Sequence, residues 1–257
     1  MVREETQLPP AAQVIYVGHA TLLVELDGVR LLTDPVLRRR VLHLRRRDAV
    51  DDAALRDLDA VLVSHAHWDH LDVPSLVRLG RDARIVVPRG AGKLLRRRRF
   101  TNVAEIDVGE RIEIGSVVVT ATRAEHDAGR GPLGAKSPAL GYVVEGTKRI
   151  YFAGDTDLFD ELAELAPLDL ALLPVSGWGP RLPPGHLDPK RAAEALRLLE
   201  PRIAVPIHWG TYSTITSRPR TADAERAPAD EFAREAAELA PGVDVKVLDP
   251  GETLMLD

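Results

Sequence analysis

Histidine and aspartate residues are concentrated in one short segment, residues 64–70, which has the sequence SHAHWDH. Imidazole nitrogens and carboxylate oxygens are donors that suit zinc, manganese or iron. Four donors this close in sequence cannot all bind one ion without strain. We expect His65 and His67 to point toward one ion, and Asp69 and His70 to point the other way. The segment therefore predicts two neighbouring metal ions.

This segment directly follows an apolar run, Ala60–Ser64, which is typical of a strand buried on both faces. A loop fixed by a rigid strand can hold ligands to the tolerance that a metal requires. Three later donors also stand just beyond the ends of predicted strands: His126, Asp155 and His208. Each alone has a simpler interpretation, as a core histidine or, for Asp155, as a turn residue or helix N-cap. The repeated placement instead favours one shared site at the carboxyl ends of the strands.

The predicted strands come in two batches, each interleaved with helices. The strands are Gln13–Val17, Thr21–Leu26, Val29–Thr33, Ala60–Ser64, Arg84–Val87, Ile112–Ile114, Val117–Ala121, Gly141–Glu145, Arg149–Ala153, Leu170–Pro174, Ile203–Ile207, Val243–Val247 and Thr253–Leu256. Helices are predicted from near Pro74 to Gly80, near Leu158–Leu165, from Asp188-Pro189 onward and around Asp230–Leu239. Two packed sheets with helices outside is an economical arrangement for these elements. We expect a single domain over residues 1–257.

Composition excludes several classes of protein. The chain of 257 residues is 45% hydrophobic, has a net charge of −5 and contains no cysteine. Neither a disulfide scaffold nor a thiolate-bound zinc site is therefore expected. No apolar run approaches the ~18 residues that span a bilayer, and the N-terminal segment lacks the apolar core of a signal peptide. We expect a soluble cytoplasmic protein with no membrane span.

Arginine runs at residues 38–40, 45–47 and 96–99 have two interpretations. A basic patch could attract a phosphate-bearing substrate. Solvated faces are the favoured interpretation, because Asp48, Asp51 and Asp52 follow residue 47 and offset its charge.

Seven short motifs resemble those of the metallo-β-lactamase superfamily, over nearly the full length of the chain. They are GHATLLVE at 18–25, LLTDP at 31–35, SHAHWDH at 64–70, AEH at 124–126, FAGDT at 152–156, GHLDP at 185–189 and PIHWGT at 206–211. Within that superfamily the chain is most similar to the branch that contains N-acyl-phosphatidylethanolamine-hydrolysing phospholipase D and ascorbate-6-phosphate lactonase. The phospholipase is the closer match of the two, because HWGT and GHLDP both agree with it.

This resemblance implies an α/β fold, a four-layer αββα sandwich with the metal site at one edge. It implies one metal held by His65, His67 and His126. It further implies a second metal held by Asp69, His70 and His208, with Asp155 bridging the two. The implied cofactors are two divalent ions, with zinc favoured and manganese or iron(II) as alternatives.

The predicted chemistry is metal-dependent hydrolysis. Two ions roughly 3.5–4 Å apart can share a water molecule and lower its pKa toward neutrality, which gives a metal-bridging hydroxide as the nucleophile. Asp69 is the candidate to orient that hydroxide or accept its proton, and His186 is the candidate group that faces the substrate. Trp178 and Tyr212 are candidates for walls of the substrate pocket. His19 is interpreted as a structural hydrogen-bonding residue.

The substrate class follows from the resemblance rather than from the metals. A phosphodiester is the leading class, and a phosphorylated sugar lactone is the alternative. A nuclease is disfavoured, because the chain is acidic and has no evident RNA-gripping insertion. A non-catalytic metal-binding protein would be expected to have lost ligands, and all seven are present. We expect a small-molecule substrate, phosphorylated or not, and no nucleic-acid partner; a homo-oligomer stays open.

Overall fold

Two β-sheets form the middle of the molecule in the computed structural model, which describes residues 12–47, 49–50, 52–129, 137–176, 182–214 and 221–257. Within those residues each sheet has seven strands. In their order across the first sheet they are β17 (Thr253–Leu256), β1 (Ala12–Gly18), β2 (Thr21–Leu26), β3 (Val29–Thr33), β6 (Ala60–Leu62), β7 (Ile85–Pro88) and β8 (Val103–Ile106). Those of the second sheet are β16 (Asp244–Val245), β14 (Pro201–Ile207), β13 (Leu168–Pro174), β12 (Arg149–Phe152), β11 (Leu140–Glu145), β10 (Val117–Arg123) and β9 (Arg111–Ile114).

Parallel strands in both sheets determine where the loops gather. In the first sheet β3, β6, β7 and β8 pair in parallel. In the second sheet β12, β13, β14 and β16 do the same. Parallel strands have their carboxyl ends at the same edge of a sheet, so the loops that follow them lie side by side. The predicted metal-binding residues are therefore brought to one edge by the topology.

Helices cover the outer faces of the sheets. They are α1 (Val73–Leu79), α2 (Gly92–Arg96), α3 (Pro189–Leu199) and α4 (Ala222–Leu239). Strand β6 shows how the faces alternate: Ala60 and Leu62 belong to the core shared by both sheets, whereas Val61 packs in a second core with residues of α1 and α2. Helices α3 and α4 pack on the other side, against β13 and β14. This order of layers confirms the predicted αββα sandwich.

The helix that begins beside the predicted site has the capping expected from its sequence. The Asp188 side chain accepts a hydrogen bond from the backbone N–H of Arg191 at 2.8 Å, and Pro189 occupies the first turn. A proline costs nothing there, because the first N–H groups of a helix have no partner within the helix. The segment that carries His186 is consequently fixed at its downstream end.

Helix α4 begins earlier than predicted, at Ala222 rather than around Asp230. Pro228 lies inside this helix, where proline removes one backbone hydrogen bond. The Thr221 hydroxyl caps the true start by accepting from the backbone N–H of Ala224 at 3.3 Å. Buried side chains at 225, 229, 232 and 236 line one face and offset the lost bond. No helix in the described part of the chain is long and apolar enough to cross a membrane.

Other predicted bounds also need correction. The helix predicted over Leu158–Leu165 is a 3-10 helix over Asp160–Leu165. Neither α2 nor β8 was predicted from the sequence.

A small third sheet includes Arg40, Arg45 and Arg46 of the first two arginine runs and was not predicted. It consists of β4 (Arg40–Val41), β5 (Leu44–Arg46) and β15 (Tyr212–Thr214). Val41 and Leu44 bury their side chains with Tyr212, which ties the hairpin to the body of the protein.

Two arginines in these runs are structural, which corrects the expectation of purely solvated faces. Arg46 is buried, and its guanidinium donates hydrogen bonds to the carbonyl oxygens of Val36, at 2.9 Å, and Val17. Arg38 makes a two-bond ion pair with Asp72, at 2.6 and 2.9 Å. Backbone carbonyls and a capping carboxylate thus take up charges that the sequence suggested were facing water.

One buried hydrogen bond links the two sheets near the predicted site. The Tyr142 hydroxyl, on β11, donates to the carbonyl oxygen of Val63 at 2.7 Å. We predict that Tyr142→Phe lowers the free energy of unfolding by roughly 1–2 kcal/mol, because the buried carbonyl oxygen loses its partner. Urea denaturation of the metal-free protein measures this change.

Tyr151→Phe is the matched control. Tyr151 is also fully buried in the second sheet, but its hydroxyl faces Thr122 of the same sheet and makes no hydrogen bond to the first sheet among the described residues. Removing that hydroxyl should leave the free energy of unfolding unchanged or slightly raise it. Equal losses in the two variants would show that the Tyr142 hydrogen bond does not stabilise the contact between the sheets.

Candidate metal centre

Three histidines form a first cluster at the edge where β6 ends. His67 Nδ1 lies 3.0 Å from His65 Nε2 and 3.1 Å from His126 Nε2. His65 and His67 belong to the loop after β6, and His126 follows β10 from the opposite sheet. One nitrogen of each ring is therefore directed at a common point, and all three lie within 4.8 Å of one another. This is the trio that the resemblance implied for one metal.

A second cluster lies beside the first. His70 Nε2 and His208 Nε2 are 3.3 Å apart. Asp69 Oδ2 lies 3.8 Å from the former and 3.7 Å from the latter. These are the three residues that the resemblance implied for the other metal. His65 and His67 therefore lie in the first cluster, and Asp69 and His70 lie in the second.

The carboxylate of Asp155 lies between the two clusters. Its Oδ2 is 3.9 Å from His65 Nε2 and 3.2 Å from His70 Nε2. Its Oδ1 is 3.4 Å from His208 Nε2, and this buried oxygen has no hydrogen-bond partner among the described residues. A buried carboxylate oxygen without a donor is costly unless a cation faces it. The position fits a carboxylate shared by two ions.

Backbone carbonyl groups orient two of the imidazoles. His126 Nδ1 lies 2.7 Å from the carbonyl oxygen of Gly185, and His208 Nδ1 lies 2.8 Å from that of Ser176. A carbonyl oxygen can only accept, so each Nδ1 carries the proton and each Nε2 presents its lone pair to the cluster. Gly185 has a φ of 84°, and a Cβ there would meet His126 Cα at 3.1 Å. Glycine is therefore required for this contact.

Asp34 supports a candidate ligand from each cluster. Its Oδ2 accepts a hydrogen bond from His70 Nδ1 at 2.7 Å and another from the Ser64 hydroxyl. That hydroxyl in turn lies 2.9 Å from His65 Nδ1, from which it accepts. Asp34 Oδ1 also accepts from the backbone N–H of Ser64 at 2.6 Å. One carboxylate outside the clusters thus fixes the ring orientation of both histidines.

The electrostatics of the donors fit divalent cations. Burial lowers the pKa of His65 and His67, and lowers that of His126 to about 4, so these imidazoles are neutral at pH 7. Burial alone would raise the pKa values of Asp69 and Asp155, but the surrounding histidines hold both well below their usual range. Neutral imidazoles and ionised carboxylates are the forms that bind metal.

His70 is the exception among the histidines. Burial alone would lower its pKa, but Asp155, Asp34 and Asp69 together raise it well above the usual value. A metal at Nε2 replaces the proton that this ring otherwise holds. Binding of a metal at the second cluster would therefore release a proton and would weaken as the pH falls.

The predicted substrate residues have different positions. His186 is partly buried, and its Nε2 lies 3.6 Å from Asp155 Oδ2, with its ring edge-on to His126 at 4.7 Å. Burial would lower the pKa of His186, but Asp155 outweighs it and raises that pKa. Tyr212 is buried, and its hydroxyl donates to the carbonyl oxygen of Val36 at 2.9 Å. Trp178 lies outside the described residues.

Two residues at the site had no metal-related role in the sequence interpretation. Asp34 stands in the LLTDP motif, directly after β3, and His19 stands directly after β1. The signal that revealed the other donors, a polar residue just past a strand, was present at both positions. His19 Nε2 lies 3.3 Å from Asp69 Oδ2.

Comparisons with known proteins identify the family of the chain. Residues 29–209 match a sequence family described as a β-lactamase superfamily domain. The chain is 34% identical to a UPF0173 metal-dependent hydrolase of Methanopyrus kandleri over 248 residues, which cover 94% of this chain and 98% of that protein. It is 33% identical over 226 residues to N-acyl-phosphatidylethanolamine-hydrolyzing phospholipase D 1 of Caenorhabditis elegans, covering 77% of this chain and 63% of the relative.

A solved structure shows the same architecture. Igni18, a metallo hydrolase from the archaeon Ignicoccus hospitalis, superposes with a TM-score of 0.72 at 25% sequence identity. The match covers 96% of this chain and 99% of that one. The arrangement of both sheets and their helices is therefore shared along almost the whole of each molecule.

The position of Asp34 leads to a test that does not depend on catalysis. We predict that Asp34→Asn weakens metal binding by about 10–100-fold, the usual effect of losing a carboxylate behind a metal-ligating histidine. The amide N–H₂ group would face the His70 and Ser64 donors in place of an acceptor. Titration of metal-free protein with zinc, in competition with a chromophoric chelator, measures the affinity.

Asp72→Asn is the matched control. Asp72 is equally buried and stands two positions after His70, but it caps α1 and pairs with Arg38 rather than supporting a histidine. Its substitution should lower stability and leave zinc affinity close to that of the wild type. An Asp34 variant that binds zinc as tightly as this control would refute the supporting role of Asp34.

Proposed function

This chain belongs to the metallo-β-lactamase superfamily of metal-dependent hydrolases, and from that premise we propose that it hydrolyses a phosphodiester with a pair of divalent metal ions. The proposed ligands are His65, His67 and His126 for one ion, Asp69, His70 and His208 for the other, and Asp155 for both. Zinc is the proposed metal, because five of the seven proposed donors are imidazoles, which suit zinc; manganese and iron(II) are the alternatives.

The observation that carries this proposal is the shared position of Asp155. Its Oδ2 lies 3.9 Å from His65 Nε2 in the first cluster and 3.2 Å from His70 Nε2 in the second, and its Oδ1 lies 3.4 Å from His208 Nε2. A single ion would leave one of the two clusters of buried donors without a cation. Two ions with a carboxylate between them satisfy every donor and offset the repulsion between the ions.

The proposal of a phosphodiester substrate is supported by the relative from Caenorhabditis elegans. That protein is named as a phospholipase D, and the aligned region includes 77% of this chain. The chain spans only 63% of that relative, so the lipid part of its substrate is not carried over. The proposed common feature is the phosphodiester group alone.

The roles of the protein's own residues follow from burial. When bound, a pair of divalent ions lowers the pKa of water toward neutrality and polarises a substrate oxygen. The Asp155 side chain is 3% exposed and is surrounded by imidazoles, so its role is to hold the site together. The Asp69 side chain is 15% exposed. It is the carboxylate that can reach a water molecule, and we assign it the role of orienting the nucleophile and accepting its proton.

His186 is the proposed general acid. Its side chain is 12% exposed. Its Nε2 lies beside Asp155 and its ring lies beside that of His126, outside both clusters of candidate ligands. Its Nδ1 lies 3.2 Å from the carbonyl oxygen of Pro183, so that nitrogen carries a proton and Nε2 faces the site. From there it can donate a proton to the leaving oxygen of a bound diester.

A substrate panel with metal analysis of the same sample tests the proposed function. We expect close to two metal equivalents per chain and turnover of bis(p-nitrophenyl) phosphate that exceeds hydrolysis of a phosphorylated sugar lactone. Asp155→Ala should abolish nearly all turnover and reduce bound metal, while the protein stays folded, because a core of this size does not depend on metal.

Each result has a defined meaning. Two equivalents with lactone turnover and no diester turnover would overturn the substrate class but leave the binuclear site standing. One equivalent or none, with full activity, would overturn the mechanism. An Asp155→Ala variant with wild-type rates would show that Asp155 is a turn residue and not a bridge.

Substitution of His186 separates three roles for this residue. We predict that His186→Ala lowers kcat by roughly 10²–10⁴-fold, the usual range for the loss of a general acid, with metal content unchanged. A metal ligand would lose metal and activity together. An unchanged rate on the preferred diester, with unchanged metal content, would show that His186 takes part neither in catalysis nor in metal binding.

A further inference from the structure

His19 has an unusual backbone conformation at the corner between β1 and β2. Its φ is 60°, in the left-handed region that non-glycine residues seldom adopt. The pairing of the two strands also shifts register next to it, between Tyr16 and Gly18. The result is a side chain that turns inward and is 1% exposed. Backbone conformations of this kind persist where the surrounding structure holds them, and they are concentrated at functional sites.

The backbone of His19 is tied to the loop that carries His208. The N–H group of His19 donates to the Thr211 hydroxyl at 2.6 Å. Its carbonyl oxygen accepts from the N–H group of His208 at 2.8 Å. The two imidazole rings lie 4.0 Å apart between centroids. His19 therefore moves with the second cluster, although β1 and β14 belong to different sheets.

The His19 imidazole approaches one atom of that cluster. Nε2 lies 3.3 Å from Asp69 Oδ2, the oxygen that is itself 3.7 Å from His208 Nε2. Asp69 belongs to a loop and is the most exposed of the second cluster's proposed ligands. A carboxylate on a loop can adopt several rotamers, and a hydrogen-bond donor from another segment holds it in one of them. Partners of this kind raise metal affinity.

We propose that His19 is a positioning residue of the second metal site: its Nε2–H group donates a hydrogen bond to Asp69 and holds that carboxylate toward His70 and His208. The inference deepens the proposed function and rests on its binuclear site. It replaces the structural role that the sequence suggested for His19. The arrangement resembles that of Asp34, with the polarity reversed: there a carboxylate orients a histidine, and here a histidine orients a carboxylate.

Two substitutions distinguish the hydrogen bond to Asp69 from the backbone conformation at position 19. His19→Gln retains an N–H donor at about the distance of Nε2, but glutamine is poorly suited to a left-handed backbone. His19→Asn suits that backbone, because asparagine is enriched in it, but its amide is too short to reach Asp69. The glutamine variant should therefore keep the hydrogen bond to Asp69 and lose stability, whereas the asparagine variant should keep stability and lose the hydrogen bond.

The experiment is a zinc titration of metal-free wild type and both variants, alongside urea denaturation. We expect His19→Asn to weaken binding of the second equivalent by about 10–100-fold and His19→Gln to keep it within about threefold, with the first equivalent unchanged in both. In metal-free protein we expect His19→Gln to be the less stable of the two. The cobalt(II) spectrum of the glutamine variant should match that of the wild type, since the ligand set is the same.

The alternatives give different results. If the glutamine variant binds the second zinc more weakly than the asparagine variant, zinc affinity would follow the stability of the fold. That result would mean a structural role for His19 and would overturn the inference. Loss of the second equivalent in both variants, with a changed cobalt spectrum for His19→Gln, would mean that His19 is itself a ligand and would also overturn it. Wild-type protein that binds only one equivalent would overturn the proposed binuclear site as well, whereas two equivalents and an unaffected asparagine variant would overturn this inference alone.

Discussion

The carboxylate of Asp155 is the group on which the rest of the site depends. It is buried, one of its oxygens has no hydrogen-bond donor among the described residues, and imidazoles surround it. A buried carboxylate is tolerated only where compensating charge is close. Without a cation, His70 has to carry that charge as a proton, which is why its pKa is raised while burial lowers that of His65 and His126. The donors thus form one electrostatic unit, and no member can be neutralised or removed without changing the ionisation of the others.

The scaffold achieves this concentration of polar groups without exposing the core. Each donor follows a strand, so the chain emerges from an apolar sheet directly into the site. The imidazoles then use hydrogen bonds to Gly185, Ser176 and Asp34 to fix their rings. Asp34 follows a strand of the first sheet, Ser176 follows a strand of the second, and Gly185 lies in the loop before α3. The positions of the ring nitrogens therefore depend on how the two sheets pack against each other, and the hydrogen bond from Tyr142 to the end of β6 belongs to that packing.

The sequence was most informative where a pattern was local. The apolar run before SHAHWDH and the Asp188-Pro189 helix start were sufficient to predict β6 and the start of α3. Pairing of Asp34 with His70, 36 positions away, depends on two parallel strands and has no local signature. The same is true of His19, whose partners near residue 208 are 189 or more positions away. The start of α4 was missed because the burial of one helical face outweighs Pro228, and burial cannot be read from a single segment.

Strand β17 pairs with β1 along residues 253–256, and β1 leads directly to His19. The first sheet is therefore completed by residues some 240 positions apart, which is a contact of very high sequence separation. Such contacts form slowly, because the chain loses the entropy of closing a long loop before the strand pairing stabilises it. On a ribosome, the histidines of residues 65–70 emerge long before the strand that completes their sheet. The candidate ligands themselves extend to His208 at the end of β14, so the complete set exists only after most of both sheets has been synthesised.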